Sequence, residues 1–182
     1  MKWDAIIAAT LLAIASFSPA DLPGRQASLV KSHPMNVLFQ LLSEQEIPPL
    51  LEMMQEFYSQ QEMRFDESKA REAIGGILRA PEYGQIYLVF RGAALAGYFA
   101  LTFCFSLEFH GRFGLLDELY LRESFRRQKL GQGVVGFAEG LCRQAGIAAL
   151  RLEVGRDNAP AQSLYRKSGF QEDARNLMTR WL

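Results

Sequence analysis

Apolar positions follow two different periods along this chain, and the changes from one to the other mark its elements. A short apolar run from Asn36 to Leu42 predicts a first strand. Beyond it Leu50, Leu51, Met54, Phe57 and Tyr58 keep the spacing of one helix face. Ser43 followed by Glu46 forms a capping box for that helix, and Pro48 and Pro49 fall in its first turn, where a missing N–H costs little. A second helix is expected after Asp66 as N-cap, with Ala70, Ala73, Ile74, Ile77 and Leu78 on its buried side and an end near Pro81.

Strand-like runs then take over. Gln85 to Phe90 and Ala94 to Leu107, joined by a turn at Arg91-Gly92, predict an antiparallel hairpin. The polar segment Ser106 to Arg112 turns the chain back into a strand from Phe113 to Leu121. A further helix carries Leu130, Val134, Phe137, Ala138, Leu141 and Ala145 on one face, and Gly146 closes it. A strand from Ala148 to Val154 follows, then a short helix from Asp157-Asn158-Ala159-Pro160 through Ser168. Gly169-Phe170 ends that helix and launches a last strand toward Met178, Trp181 and Leu182. The order of elements predicts a mixed α/β domain.

The amino-terminal stretch stands apart. The apolar run Ala5 to Phe17, behind Lys2 and ahead of Ser18-Pro19-Ala20, loosely resembles a secretory signal and is too short to span a bilayer comfortably. The competing reading is a translated upstream extension or a loosely attached helix, because regular alternation starts only after the loop Pro23 to Pro34, close to Met35. The chain therefore divides into an extension, residues 1–34, and a domain, residues 35–182.

Composition narrows the function classes. With 182 residues, 49% of them apolar, the chain can bury one sizeable core. Lys plus Arg number 20 and Asp plus Glu number 20, so no global field draws the protein to nucleic acid or an acidic membrane, and neither is expected as a partner. Arg122, Arg126, Arg127 and Lys129 form a local basic cluster suited to a small polyanion. Cys104 and Cys142 lack CxxC spacing and are expected as reduced core thiols. His33 and His110 share no ligand spacing, so no metal is expected.

The stretch Gly114 to Gly133, GLLDELYLRESFRRQKLGQG, concentrates the chemistry. A strand passes through a charged turn into a helix that starts with Gly131 and Gly133 close together, and such a start presents unpaired N–H groups and the positive end of the helix dipole. That arrangement binds an anion, most naturally a phosphate.

Strand, Arg-led loop, helix and strand, followed by Asn158-x-x-Ala161-x-x-Leu164-Tyr165-x-x-x-Gly169-Phe170, resemble the GNAT superfamily of acyl-CoA-dependent N-acyltransferases. The resemblance is clearest from Asp117 to Leu182. It implies an α+β fold: a mixed, mostly antiparallel central sheet flanked by helices, with a splayed strand pair at the cofactor site. The family loop R/Q-x-x-G-x-G/A fits in two registers. One, anchored on the strand, places Arg126 first, Lys129 at the usual first glycine and Gly131 last; the other uses Gln128, Gly131 and Gly133. The strand-anchored register is preferred, because the distances to Gly146 and Asn158 then also match.

The resemblance further implies acetyl-CoA as co-substrate, no metal, and residence in the cytoplasm, which argues against a cleaved signal. Amides from about Arg127 to Gly131 would face the diphosphate, so that Arg126, Arg127, Gln128, Lys129, Leu130, Gly131 and Gln132 are cofactor-binding candidates, with Asn158 as a further contact. N–H groups of Leu119, Tyr120 and Leu121 would hold the acetyl oxygen. Tyr165, at the family's LY position, would protonate the departing thiolate; the alternative is a half-buried tyrosine packing the last strand.

An acceptor amine with a pKa of about 10 needs a base at neutral pH. Glu118 is preferred and Asp117 second, since neighbouring strand residues face opposite ways unless a bulge intervenes; either can instead pair with Arg122 or Arg126. Glu108 and His110 are candidates for substrate recognition or plain turn residues. The expected activity is direct transfer of acetyl to a primary amine of a small molecule or protein. A non-catalytic acyl-CoA-binding module is the alternative, left open by Lys129. A kinase-like phosphate binder is disfavoured, because no Lys-Ser or Lys-Thr follows the glycines. The aromatic-rich strands and the Met178 to Leu182 tail are where a homodimer would form.

Overall fold

A computed structural model of the chain describes residues 30–32 and 37–181. The run Ala5 to Phe17, the Ser18-Pro19-Ala20 segment and His33 lie outside the described residues. Six strands, β1 (Val30–Ser32), β2 (Val37–Leu41), β3 (Gly84–Arg91), β4 (Ala94–Ser106), β5 (Gly111–Leu121) and β6 (Leu150–Leu152), form one sheet in sequence order. All neighbours pair antiparallel except β5 and β6, which are parallel. The mixed, mostly antiparallel sheet expected from the sequence is therefore present. β1 falls where a loop is predicted, because three residues are too few to display a period of two.

Helices cover both faces. Helix α1 (Ile47–Gln60) follows a single 3-10 turn, and the Glu46 carboxylate accepts from the Ser43 N–H at 2.9 Å as the capping box requires. Asp66 caps helix α2 (Glu67–Arg79) by accepting from the Lys69 N–H at 3.2 Å. Alternation along β3 and β4 sends Ile86, Leu88, Tyr98 and Ala100 toward α1 and α2, where they meet Leu50, Met53 and Ile74. Tyr87, Val89, Phe99 and Leu101 point the other way, against Leu130, Val134, Ala138 and Leu141 of helix α3 (Leu130–Gln144). Helix α4 (Ala159–Lys167) lies beyond β6, and its Tyr165 packs on this second cluster.

Three expectations need correction. Ala73 is exposed, because α2 buries a narrower stripe than its spacing suggests, with Ile74 its one fully buried residue. Cys142 is a buried thiol, pushed up to about 11 by burial, but Cys104 is only half-buried on β4 beyond the main core. The last strand does not form within 168–181. The segment from Gln171 to Asn176 is almost wholly polar and is held by side chains instead, Asp173 to Arg151 at 2.8 Å and Arg175 to Glu108 at 2.8 Å. Leu177, Met178 and Trp181 beyond it remain exposed.

Candidate active site

The site begins where β5 loses one neighbour. Gly114, Leu115 and Leu116 pair with Leu150, Arg151 and Leu152, and the parallel ladder stops there. On the other side, β4 stays paired to Leu121, but its register shifts so that Leu101 faces Leu116 while Ala100 faces Glu118. Asp117 is the extra residue of this bulge. The bulge intervenes at the one place where it matters: Leu116 and Leu119 both belong to the α3 side, while Glu118 and Tyr120 turn to the α1 side.

Backbone direction follows from the same register. The N–H of Arg122 donates to the Ala96 carbonyl at 2.9 Å, so alternation along an antiparallel pair directs Tyr120 to β4 and turns the amides of Leu119 and Leu121 toward the open side. Arg126 Nε donates to the Leu121 carbonyl there at 2.8 Å. Leu119 and Leu121 therefore present amides on the side of β5 that β4 leaves open. The amide of Tyr120 is directed to β4 instead, and its hydroxyl donates to Glu56 at 2.8 Å.

The loop after β5 forms a short 3-10 turn, Glu123–Phe125, and then takes left-handed backbone at Arg127 (φ 59°) and Lys129 (φ 63°). Lys129 is the N-cap residue of α3, without a side-chain cap bond. Gly133 is the first residue whose N–H finds a helical carbonyl, that of Lys129 at 3.1 Å, and among the described residues the amides from Arg127 to Gln132 have no such acceptor. The open amides form a cradle at a helix start, an arrangement chemically suited to an anion. Left-handed backbone at Lys129 is the conformation glycine adopts freely, in keeping with the strand-anchored register. Gly131 has another reason to be glycine: a Cβ there would lie 2.8 Å from Leu164 Cδ2, so its absence lets α3 and α4 approach.

Not every basic side chain of the loop faces the cradle. Arg126 also donates to Gln60 Oε1 on α1, and Gln128 Nε2 donates to the Ser124 carbonyl at 2.7 Å. Arg122 is bound to Glu56 at 3.1 Å. Burial raises the Glu56 carboxyl, but its bonds from Arg122 and Tyr120 outweigh that and hold it below the usual range. An open cleft of about 670 Å³ lies between these residues and the start of α4, lined by Gln60, Glu123, Arg126, Arg156 and Asn158 among others. Asn158 Oδ1 accepts from the Ala161 N–H at 3.2 Å, which leaves its Nδ2 for a ligand.

The acidic pair divides sharply. Glu118 accepts from the Tyr58 hydroxyl at 2.8 Å and from the Tyr98 hydroxyl at 2.9 Å, one on each oxygen. Desolvation raises its carboxyl, the two phenols pull it back, and Asp117 raises it again, with a net rise. Asp117 is exposed yet surrounded closely enough that desolvation raises its carboxyl too. Neither forms an ion pair with Arg122 or Arg126. Tyr165 is half-buried, its ring edge-on to Phe170 at 5.8 Å, and burial pushes its phenol up, so it is protonated at neutral pH. Its hydroxyl donates to no protein acceptor among the described residues. Glu108 is bound at the surface by Arg175, and His110 sits in left-handed backbone in the exposed β4–β5 turn.

Tyr58, Tyr98, Glu56 and Gln60 were not singled out by sequence for this site. The available signal was weak: a tyrosine on an apolar stripe needs a partner for its hydroxyl, but nothing local names that partner.

Comparison with solved structures finds the same architecture elsewhere. An integron cassette protein from the mobile metagenome of Cole Harbour Salt Marsh is 28% identical, with a TM-score of 0.71 over 79% of this chain and 90% of that one. A predicted acetyltransferase with acetyl-CoA from Clostridium acetobutylicum (14% identity, TM-score 0.67, 79% and 96% coverage) shares the fold. So does an aminoglycoside 6'-N-acetyltransferase from Acinetobacter haemolyticus (16% identity, TM-score 0.65, 79% and 97% coverage). No curated protein matches the chain. The acetyltransferase (GNAT) family model matches residues 47–170, the span that holds β5, the end of its ladder with β6, the amide cradle and Tyr165, and the chain belongs to that family.

Proposed function

We propose that the protein is an N-acetyltransferase that moves acetyl from acetyl-CoA to a primary amine by direct attack. The observation that carries this reading is the end of the β5–β6 ladder at Leu116, past which the amides of Leu119 and Leu121 face away from β4, followed by a loop whose amides from Arg127 to Gln132 meet no backbone acceptor. Acetyl-CoA, when bound, supplies an activated thioester. The amides from Arg127 to Gln132 fit its diphosphate, helped by Lys129 and Asn158, and each charge-assisted hydrogen bond contributes about 1.5–3 kcal/mol. Glu118, raised toward neutrality, accepts the proton that the amine gives up. Tyr165, protonated and without a protein acceptor, gives its proton to the departing sulfur. Acetyl-CoA held by a structural neighbour supports the choice of donor.

Dependence on acetyl-CoA implies residence in the cytoplasm, and no helix among the described residues is long and apolar enough to cross a membrane. The exposed Leu177, Met178 and Trp181 support a homodimer through the tail. The test is an amine panel with acetyl-CoA, read as thiol release. Turnover with at least one primary amine is expected, and Tyr165→Phe should lower kcat about 100-fold while leaving acetyl-CoA affinity nearly unchanged. Calorimetric binding of acetyl-CoA without turnover of any amine would favour the non-catalytic module instead.

A further inference from the structure

Glu118 is bound through both carboxylate oxygens by phenols on two different elements. Tyr98, on β4, is 1% exposed and donates to one oxygen from inside the sheet. Tyr58, half-buried on α1, donates to the other. The two phenols are themselves fixed: Tyr58 edge-on to Phe57 at 5.9 Å and to Phe65 at 5.5 Å, Tyr98 against Tyr120 at 6.0 Å. A carboxylate bound through both oxygens to donors on different elements has one orientation, yet each oxygen keeps a second lone pair for an incoming proton.

We propose that Tyr58 and Tyr98 are positioning residues: they hold the Glu118 carboxylate in the one orientation in which it takes the proton of the acceptor amine, and they set the pH range in which it can do so. This rests on the N-acetyltransferase reading with Glu118 as base.

The charged and titratable surroundings give the direction of the effect. From β5 come Asp117 and Tyr120, from β4 Tyr98, and from α1 Tyr58 and the Arg122-bound Glu56, while α2 adds apolar residues such as Ile74 and Ile77 to this cluster. Burial and Asp117 favour protonated Glu118, whereas the phenols oppose them. Both phenols are held well above the ordinary tyrosine value, by burial first and then by the charge of Glu118, so they remain donors across the working range. Deleting either hydroxyl leaves burial and Asp117 less opposed. Glu118 then keeps its proton to higher pH, and the acidic limb of the rate profile moves up.

The experiment uses the full chain and the variants Tyr58→Phe, Tyr98→Phe and Glu118→Gln. Two readouts are combined: the pH dependence of kcat/KM with the best amine of the panel, and a carbon-13 NMR titration of the Glu118 side-chain carboxyl, assigned by its loss in Glu118→Gln. Each Phe variant is expected to raise both the kinetic limb and the titration midpoint by about one pH unit, with acetyl-CoA affinity within about twofold of the original. Should Tyr98→Phe fail to fold, the half-buried Tyr58→Phe carries the same expectation. An unmoved limb and midpoint in Tyr58→Phe, with Glu118→Gln inactive, would overturn the positioning role and leave the reaction intact. A fully active Glu118→Gln would overturn the base assignment, and the positioning role with it. The absence of turnover with every amine would overturn the underlying reading, whatever the NMR midpoints.

Discussion

The two ends of β5 are one strand with two fates. From Gly114 to Leu116 it is paired on both sides, and Leu116 is 3% exposed beneath α3. From Glu118 to Leu121 it is paired on one side only: the amides of Leu119 and Leu121 turn to the free edge, while the Glu118 carboxylate, held by phenols, turns to the α1 face. Composition does not separate them, since both ends are leucine-rich. What separates them is where β6 stops and where the bulge adds Asp117. Where β6 stops, the same strand passes from fully paired scaffold to open amides.

That contrast can be broken from either end. Glu118→Gln acts on the open end and should lower kcat/KM by about 10²–10⁴-fold with the melting temperature and acetyl-CoA affinity little changed, read by steady-state kinetics and calorimetry. Leu116→Ala acts on the closed end and should cost about 2–5 kcal/mol of stability in denaturant unfolding, with the chemistry of the folded fraction retained. If Leu116→Ala instead abolished turnover in the fully folded protein, the two ends would not be separable.

A pH titration sharpens the same comparison. Because desolvation and Asp117 raise Glu118 more than Tyr58 and Tyr98 lower it, the base should begin to protonate at a higher pH than an ordinary glutamate. As pH falls through that value the ionised base is lost, and kcat/KM should drop about tenfold per unit below it. A limb at the ordinary glutamate value would place the base elsewhere. The smallest effect belongs to the loop just past the open end. Lys129→Gly relieves a left-handed side-chain residue and should stabilise the fold by about 1 kcal/mol, a rise of about 2–4 °C in melting temperature. An equal or lower melting temperature would mean that Lys129 contributes more than it strains.

Much of the fold was legible because its signals are local. The capping box at Ser43 and Glu46, the N-cap at Asp66, the hairpin turn and the apolar stripe of α3 each lie within a few neighbouring residues, and each appears where spacing predicts it. The loop from Arg126 to Gly131 was legible for the same reason, as a strand handing over to a helix. Among the described residues the last strand is absent although Met178 and Trp181 look like strand residues, because the polar segment before them gives a ladder nothing to bury.

By itself, then, the sequence determined the order of elements, the glycine-rich start of α3 after a basic loop, and a short set of titratable candidates. Tertiary structure decided which of them act together. Tyr58 and Glu118 are 60 positions apart, and Tyr120 and Glu56 are 64. The amide of Tyr120 faces β4 while those of Leu119 and Leu121 face away, because the bulge at Asp117 and the register with β4 set the alternation. Such outcomes depend on pairing between distant segments, and a one-residue slip in pairing reverses every side chain and amide beyond it.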